Sequence, residues 1–147
     1  MTTYTQPLSA EKSQSWPLYA ALAAGSALVL TAIGTFWAPF GSDTGPAEPM
    51  EFFAFNVPVV LVGTAVIFGL VARTADESNA PRRGMVLAVL GLLSIVGFWT
   101  GLPSIFALGA VSCVTTASTG TPSRSAIATY GIAAVTLALA VWLALAG

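Results

Sequence analysis

The sequence predicts an all-α fold, a polytopic transmembrane helix bundle without a soluble domain. Three observations carry this prediction. Apolar residues make up 56% of the 147 residues and charged ones only 7%, against about a quarter charged in an ordinary soluble domain. A water-facing surface built from so few charges would expose large apolar patches, so the chain needs lipid as its solvent. The apolar residues also come in runs of spanning length, and all the charged residues fall in tails, loops or loop edges between them.

A spanning helix needs about 20 apolar residues, because each residue rises about 1.5 Å and the hydrocarbon core is about 30 Å thick. Residues 1–15 form a polar tail with Lys12 as its one basic residue, unlike the basic start of a secretory signal. The run 16–40 is too long for a signal core and reads as an uncleaved first anchor within a single transmembrane domain, 16–147. GSDTGPAEPM (41–50) is a polar loop marked by Gly and Pro. The run 52–71 is a second span, and ARTADESNAPRR (72–83) a second polar loop. STGTPSRS (118–125) is a third, and 126–145 the last span.

Between the second and third loops lies an apolar run, 84–117, with GFWTGLPSIF at its centre. As one helix it would measure about 51 Å, too long for the bilayer core even when tilted. Pro103 lacks an N–H and clashes with a preceding turn, and Gly101 supplies a permissive backbone. Both point to a hairpin turn at Gly101 and Pro103, with arms at 84–100 and 102–118. A single kinked or re-entrant segment, leaving four crossings, is the alternative.

Cytoplasmic loops carry excess Lys and Arg. Loop 41–51 has none, whereas Arg73, Arg82 and Arg83 lie in loop 72–83. With a hairpin, Arg124 joins them and Lys12 on one face. This predicts five helices with the N-terminus cytoplasmic. Aromatics favour membrane interfaces. The same topology puts Trp37, Trp99 and Trp142 near the outer interface, and Trp16, Tyr19 and Tyr130 near the inner one.

RRGMVLAVLGLLSIVGFWTGLPSIFALGAVSCV has a basic entry, short apolar arms and a central Gly-Pro turn. It resembles the helical hairpins of small uncharacterised actinobacterial multi-pass integral membrane proteins. The resemblance covers about a quarter of the chain. It implies a plasma-membrane protein of unassigned activity and carries over no functional residue.

The candidates for chemistry are few. Ionisable groups inside a membrane mark ion paths and proton relays, and here none falls near the middle of a span. The chain has no His, the commonest general base. Neither catalytic residues nor a cofactor are expected. Net charge is −1, which offers no basic field for nucleic acid. Asn56 and Pro58 are the candidate polar helix break. They either expose polar groups to a substrate or, as favoured, begin the helix, with Asn56 as its cap, Pro58 in its first turn and FFAF in the interface. Asp43, Glu48 and Glu51 lack the order of a metal loop and read as a solvated outer loop, so no metal site is expected. Arg73, Arg82 and Arg83 set topology and touch anionic headgroups. Cys113, the only cysteine, reads as a small apolar residue.

Ala21 and Gly25, Gly109 and Cys113, Ala134 and Ala138, and Ala140 and Ala144 are small pairs four apart that let helices approach closely. Thr31, Thr35, Thr64, Ser94, Ser112, Thr115, Thr129 and Thr136 supply hydroxyls within spans, but on no single helix do they form a continuous stripe. The expected partners are the lipid bilayer and a membrane-protein partner or a second copy. A structural or accessory protein is the leading functional expectation. A transporter or channel component with a hydroxyl- and carbonyl-lined path comes second, and a membrane enzyme at the outer face third.

Overall fold

A computed structural model describes residues 16–37, 48–117 and 123–146. The described residues form five helices and no strand. Helix α1 is Trp16–Ala32, continued by a π-helical turn, Ile33–Trp37. Helix α2 is Pro49–Val66, continued by π-helical Ile67–Ala72. Helix α3 is Ala80–Leu93, continued by a 3-10 stretch, Ser94–Thr100. Helix α4 is Leu102–Ala117 and helix α5 is Arg124–Ala146. Among the described residues, four helical runs are long and apolar enough to cross a membrane: Trp16–Phe36, Pro49–Ala72, Ala80–Thr100 and Arg124–Ala146. The fifth, α4, is shorter.

The hairpin forms where the sequence places it. Gly101 has φ +72°, a left-handed conformation that favours glycine, and its N–H bonds to Phe98 O at 3.2 Å. Thr100 Oγ1 donates to Gly97 O at 2.7 Å and accepts from Leu102 N–H at 3.4 Å, tying the turn together. Pro103 is the second residue of α4, where its missing N–H costs nothing. The return is compact. A Cβ on Gly34 would lie 3.9 Å from Trp99 Cβ, whereas Gly101 packs against Ala27, seven residues deeper along α1. Residues 99–101 therefore cover part of the descent as turn.

Several boundaries differ from the sequence expectation. Helix α2 begins at Pro49, three residues before the expected 52, because Pro49 and Glu51 suit a first helical turn. Helix α3 begins at Ala80 rather than 84, which makes Arg82 and Arg83 helical. Helix α5 runs from Arg124 to Ala146, one or two residues beyond 126–145 at each end. The tail 1–15 with Lys12, and the loop residue Asp43, lie outside the described residues.

Helix α4 is the axis. Its residues Ser104, Ile105, Ala107, Gly109, Ala110 and Cys113 are buried. Helices α2, α1, α5 and α3 surround it in that order. The inward residues are small. In α5 they are Ala126, Thr129, Ala133, Thr136, Ala140 and Ala144, spaced three or four apart on one face. The outward residues are large, among them Leu18, Phe55, Leu61, Val96, Trp142 and Leu145. A water-soluble core has the opposite arrangement. Small inward residues let backbones approach in lipid, where packing, not water exclusion, holds helices together. Glycines make the closest contacts: a Cβ on Gly84 would lie 2.7 Å from Val114 Cγ2, and one on Gly109 2.5 Å from Ile67 Cγ2.

Candidate functional site: a polar seam and an open flank

Arg73, Arg82, Arg83 and Arg124 all lie at one end of the bundle, where α2 ends and α3 and α5 begin. Glu48 and Glu51 lie at the other. The α2–α3 loop at the basic end is organised by Asp76. Its Oδ1 accepts from Ser78 Oγ at 2.6 Å, Ser78 N–H at 2.9 Å and Asn79 N–H at 3.0 Å. These bonds, the Ser78 hydroxyl first, hold the carboxyl below its ordinary pKa of 3.8. Arg83 Nη1 reaches back to Val71 O at 3.1 Å and Thr74 Oγ1 at 2.7 Å. Thr74 in turn donates to Leu70 O. Arg83 thus caps the Val71 carbonyl at the end of α2 as well as marking the basic face.

Asn56 and Pro58 do not break or begin a helix. Asn56 lies in the third turn of α2, which continues through Pro58. The favoured reading of Asn56 as a cap is corrected here, because the helix already starts at Pro49. Asn56 is buried at 3% exposure and its Nδ2 donates to Phe52 O at 3.0 Å. Pro58 faces outward. It removes the N–H that would bond the carbonyl of Ala54.

The hydroxyls sort into two groups. Ser26, Ser94, Thr115, Thr129 and Thr136 donate to a carbonyl three or four residues earlier in their own helices, at 2.8–3.1 Å. Thr31 and Thr35 on α1, Thr64 on α2 and Ser104 on α4 have buried hydroxyl oxygens with no hydrogen-bond partner. Together with Asn56 they belong to the packed faces of α1, α2 and α4. These groups are spread over three helices, and no single helix displays them all. Ser104 escaped the sequence reading because it follows Pro103 in the expected turn; its place in the first turn of an apolar arm was the available signal.

The small pairs also divide. Gly109 and Cys113, and Ala140 and Ala144, are buried in the bundle. Ala21 and Gly25, and Ala134 and Ala138, face outward, and no atom lies within 4 Å of a Cβ built on Gly25. These two outward pairs do not pack the bundle.

The ring around α4 is not closed. Helices α2 and α3 are joined at the basic end, but their helical bodies pack only weakly against one another. Leu102 and Phe106 of α4 stay partly exposed. A groove of about 410 Å³ lies beside the hairpin turn, lined by Pro58, Val59, Val62, Gly63 and Leu102. Among the described residues, no cluster of His, Cys, Asp or Glu could hold a metal ion.

This architecture is that of a polytopic helical membrane bundle. Compared with known proteins, the chain matches no family model, no curated protein and no solved structure.

Proposed function

We propose that this chain is a small multi-pass protein of a bacterial plasma membrane, its N-terminus cytoplasmic, that acts as an accessory component by seating a transmembrane helix of a larger complex. The uncovered flank of α4 between α2 and α3 carries the reading. Its groove is apolar and lies beside the turn. Four helices surround α4, and a partner helix in the gap would complete the layer.

A photo-crosslinking residue at Val62, in native membranes, tests this. Capture of one defined membrane protein is expected at Val62, with none at Leu139 on the outer face of α5. Crosslinks to lipid alone at both positions would defeat the reading. A C-terminal tag reachable only from outside the cell is expected for the proposed topology.

A second reading, a transport component, is supported by the buried hydroxyls of α1, α2 and α4 and by Asn56. It predicts solute flux in liposomes that falls when Asn56→Ala removes the amide. Full flux in that variant would discredit the path.

A further inference from the structure

We infer that Arg83 binds the phosphate of one anionic phospholipid, at the membrane boundary where α2 ends and α3 begins. Val71 lies at the end of the span Pro49–Ala72, and Arg83 in the first turn of the span Ala80–Thr100. The guanidinium bridging them therefore sits at headgroup depth, where a bilayer carries its phosphates. Arg83 is half-buried, whereas Arg73, Arg82 and Arg124 are exposed.

The protein uses only one side of this guanidinium. Nη1 donates to Val71 O at 3.1 Å and to Thr74 Oγ1 at 2.7 Å, which fixes the group against the end of α2. Nε and Nη2 donate to nothing among the described residues. Their N–H bonds form the parallel fork that meets two oxygens of one phosphate. A guanidinium already held in place loses little further freedom when the ligand arrives.

The charge of Arg83 also lacks a bonded counterpart. Asp76 attracts it across the loop, but Asp76 spends Oδ1 on Ser78 and Asn79 and makes no bond to the guanidinium. A positive side chain in the first turn of a helix also meets the positive end of the helix dipole. An anion at the free fork relieves both. Among the described residues, four arginines stand at this end against Asp76 and Glu77, so its field is positive. That field favours an anionic lipid over a zwitterionic one, whose ammonium group would be brought towards the arginines.

The test is phosphorus–nitrogen solid-state NMR on the full chain with isotopically labelled arginine, in liposomes of phosphatidylcholine with and without phosphatidylglycerol. With phosphatidylglycerol present, phosphorus is expected to dephase Nε and Nη2 of Arg83 several-fold more strongly than its Nη1, and more strongly than any nitrogen of Arg82. Equal dephasing across all four arginines would reveal only the diffuse field of the surface and would overturn the site. An unchanged Arg83 signal without phosphatidylglycerol would also overturn it. Retention of phosphatidylglycerol in mild detergent, read by native mass spectrometry, gives a second measure. Arg83→Lys keeps the charge but not the fork and should lower retention several-fold, while Arg82→Gln, which loses a charge, should stay near wild type. Thr74→Val unpins the guanidinium without changing any charge and should lower retention as well. Full retention in Arg83→Lys, or equal losses in Arg83→Lys and Arg82→Gln, would sink the proposal.

Discussion

Helices α1 and α5 both lay a face of small residues and threonines against α4, yet they treat the hydroxyl differently. In α5, Thr129 donates to Ser125 O and Thr136 to Ile132 O, each at 2.9 Å. In α1, Thr31 and Thr35 donate to nothing. The residue type, the burial and the lipid-embedded setting are shared. What differs is local: α5 is a regular helix throughout, whereas α1 meets the tip of the hairpin and then winds into a π-helical turn. The regular winding of α5 lets each of its threonines satisfy itself, whereas beside the hairpin tip and in the π-helical turn of α1 the hydroxyls stay unpartnered, as does that of Thr64 on α2. The same side chain is thus self-satisfied in one place and unpartnered in the other.

The most severe way to disturb this contrast is at the hairpin turn. Gly101→Ala places a Cβ 2.7 Å from Ala27 Cβ in a left-handed backbone. Backbone strain of about 1–2 kcal/mol and overpacking of about 1–3 kcal/mol both act against it. We expect a loss of about 2–5 kcal/mol in unfolding from mild detergent, the sum of those two costs. If the turn instead relaxes away from α1, Thr31 should gain its bond to Ala27 O, and its side-chain NMR signals should then resemble those of Thr136.

Valine scanning gives the next largest effect and a difference of sign. Thr136→Val removes one back-bond and should cost about 0.6 kcal/mol, the mean for side-chain hydrogen bonds in membrane bundles. Thr31→Val removes an unpartnered hydroxyl and should stabilise the fold. Thermal unfolding of both variants reads the sign directly.

A smaller effect is expected at Gly131 on the outer side of α5, where no atom lies within 4 Å of a built Cβ. Gly131→Ala should raise stability by up to about 1 kcal/mol through helix propensity. A loss there would mean that α5 is covered by another helix in the membrane.

The smallest effect concerns the α2–α3 loop. Asp76 is held below its ordinary pKa, so the carboxylate's contribution is present above 3.8 and fades as the pH falls through the depressed folded value. Hydrogen exchange of the Ser78 and Asn79 amides should therefore quicken only below pH 3.8, and Asp76→Asn should abolish that dependence.

Much of the architecture was legible because lipid imposes simple constraints. Run lengths identify the helices, and the left-handed requirement at the turn explains Gly101. Charge placement groups Arg124 with Arg73, Arg82 and Arg83 at one end. Legibility failed where a residue's role depends on its neighbours. Asn56 looked like a cap because it precedes Pro58, but Pro49 and Glu48 had already started the helix. Ala134 and Ala138 carry the same spacing as Ala140 and Ala144, yet one pair faces outward and the other is buried.

By itself, the sequence determined the solvent, the number of helices and the place of the hairpin, since these follow from hydropathy, length and backbone permissiveness along one chain. Only the tertiary structure decided which hydroxyls go unpartnered. Thr31 and Thr35 stand beside the approach of Gly101 to Ala27, a contact between segments some 70 residues apart, and in the altered winding of α1 at Ile33–Trp37, neither of which a hydropathy pattern encodes.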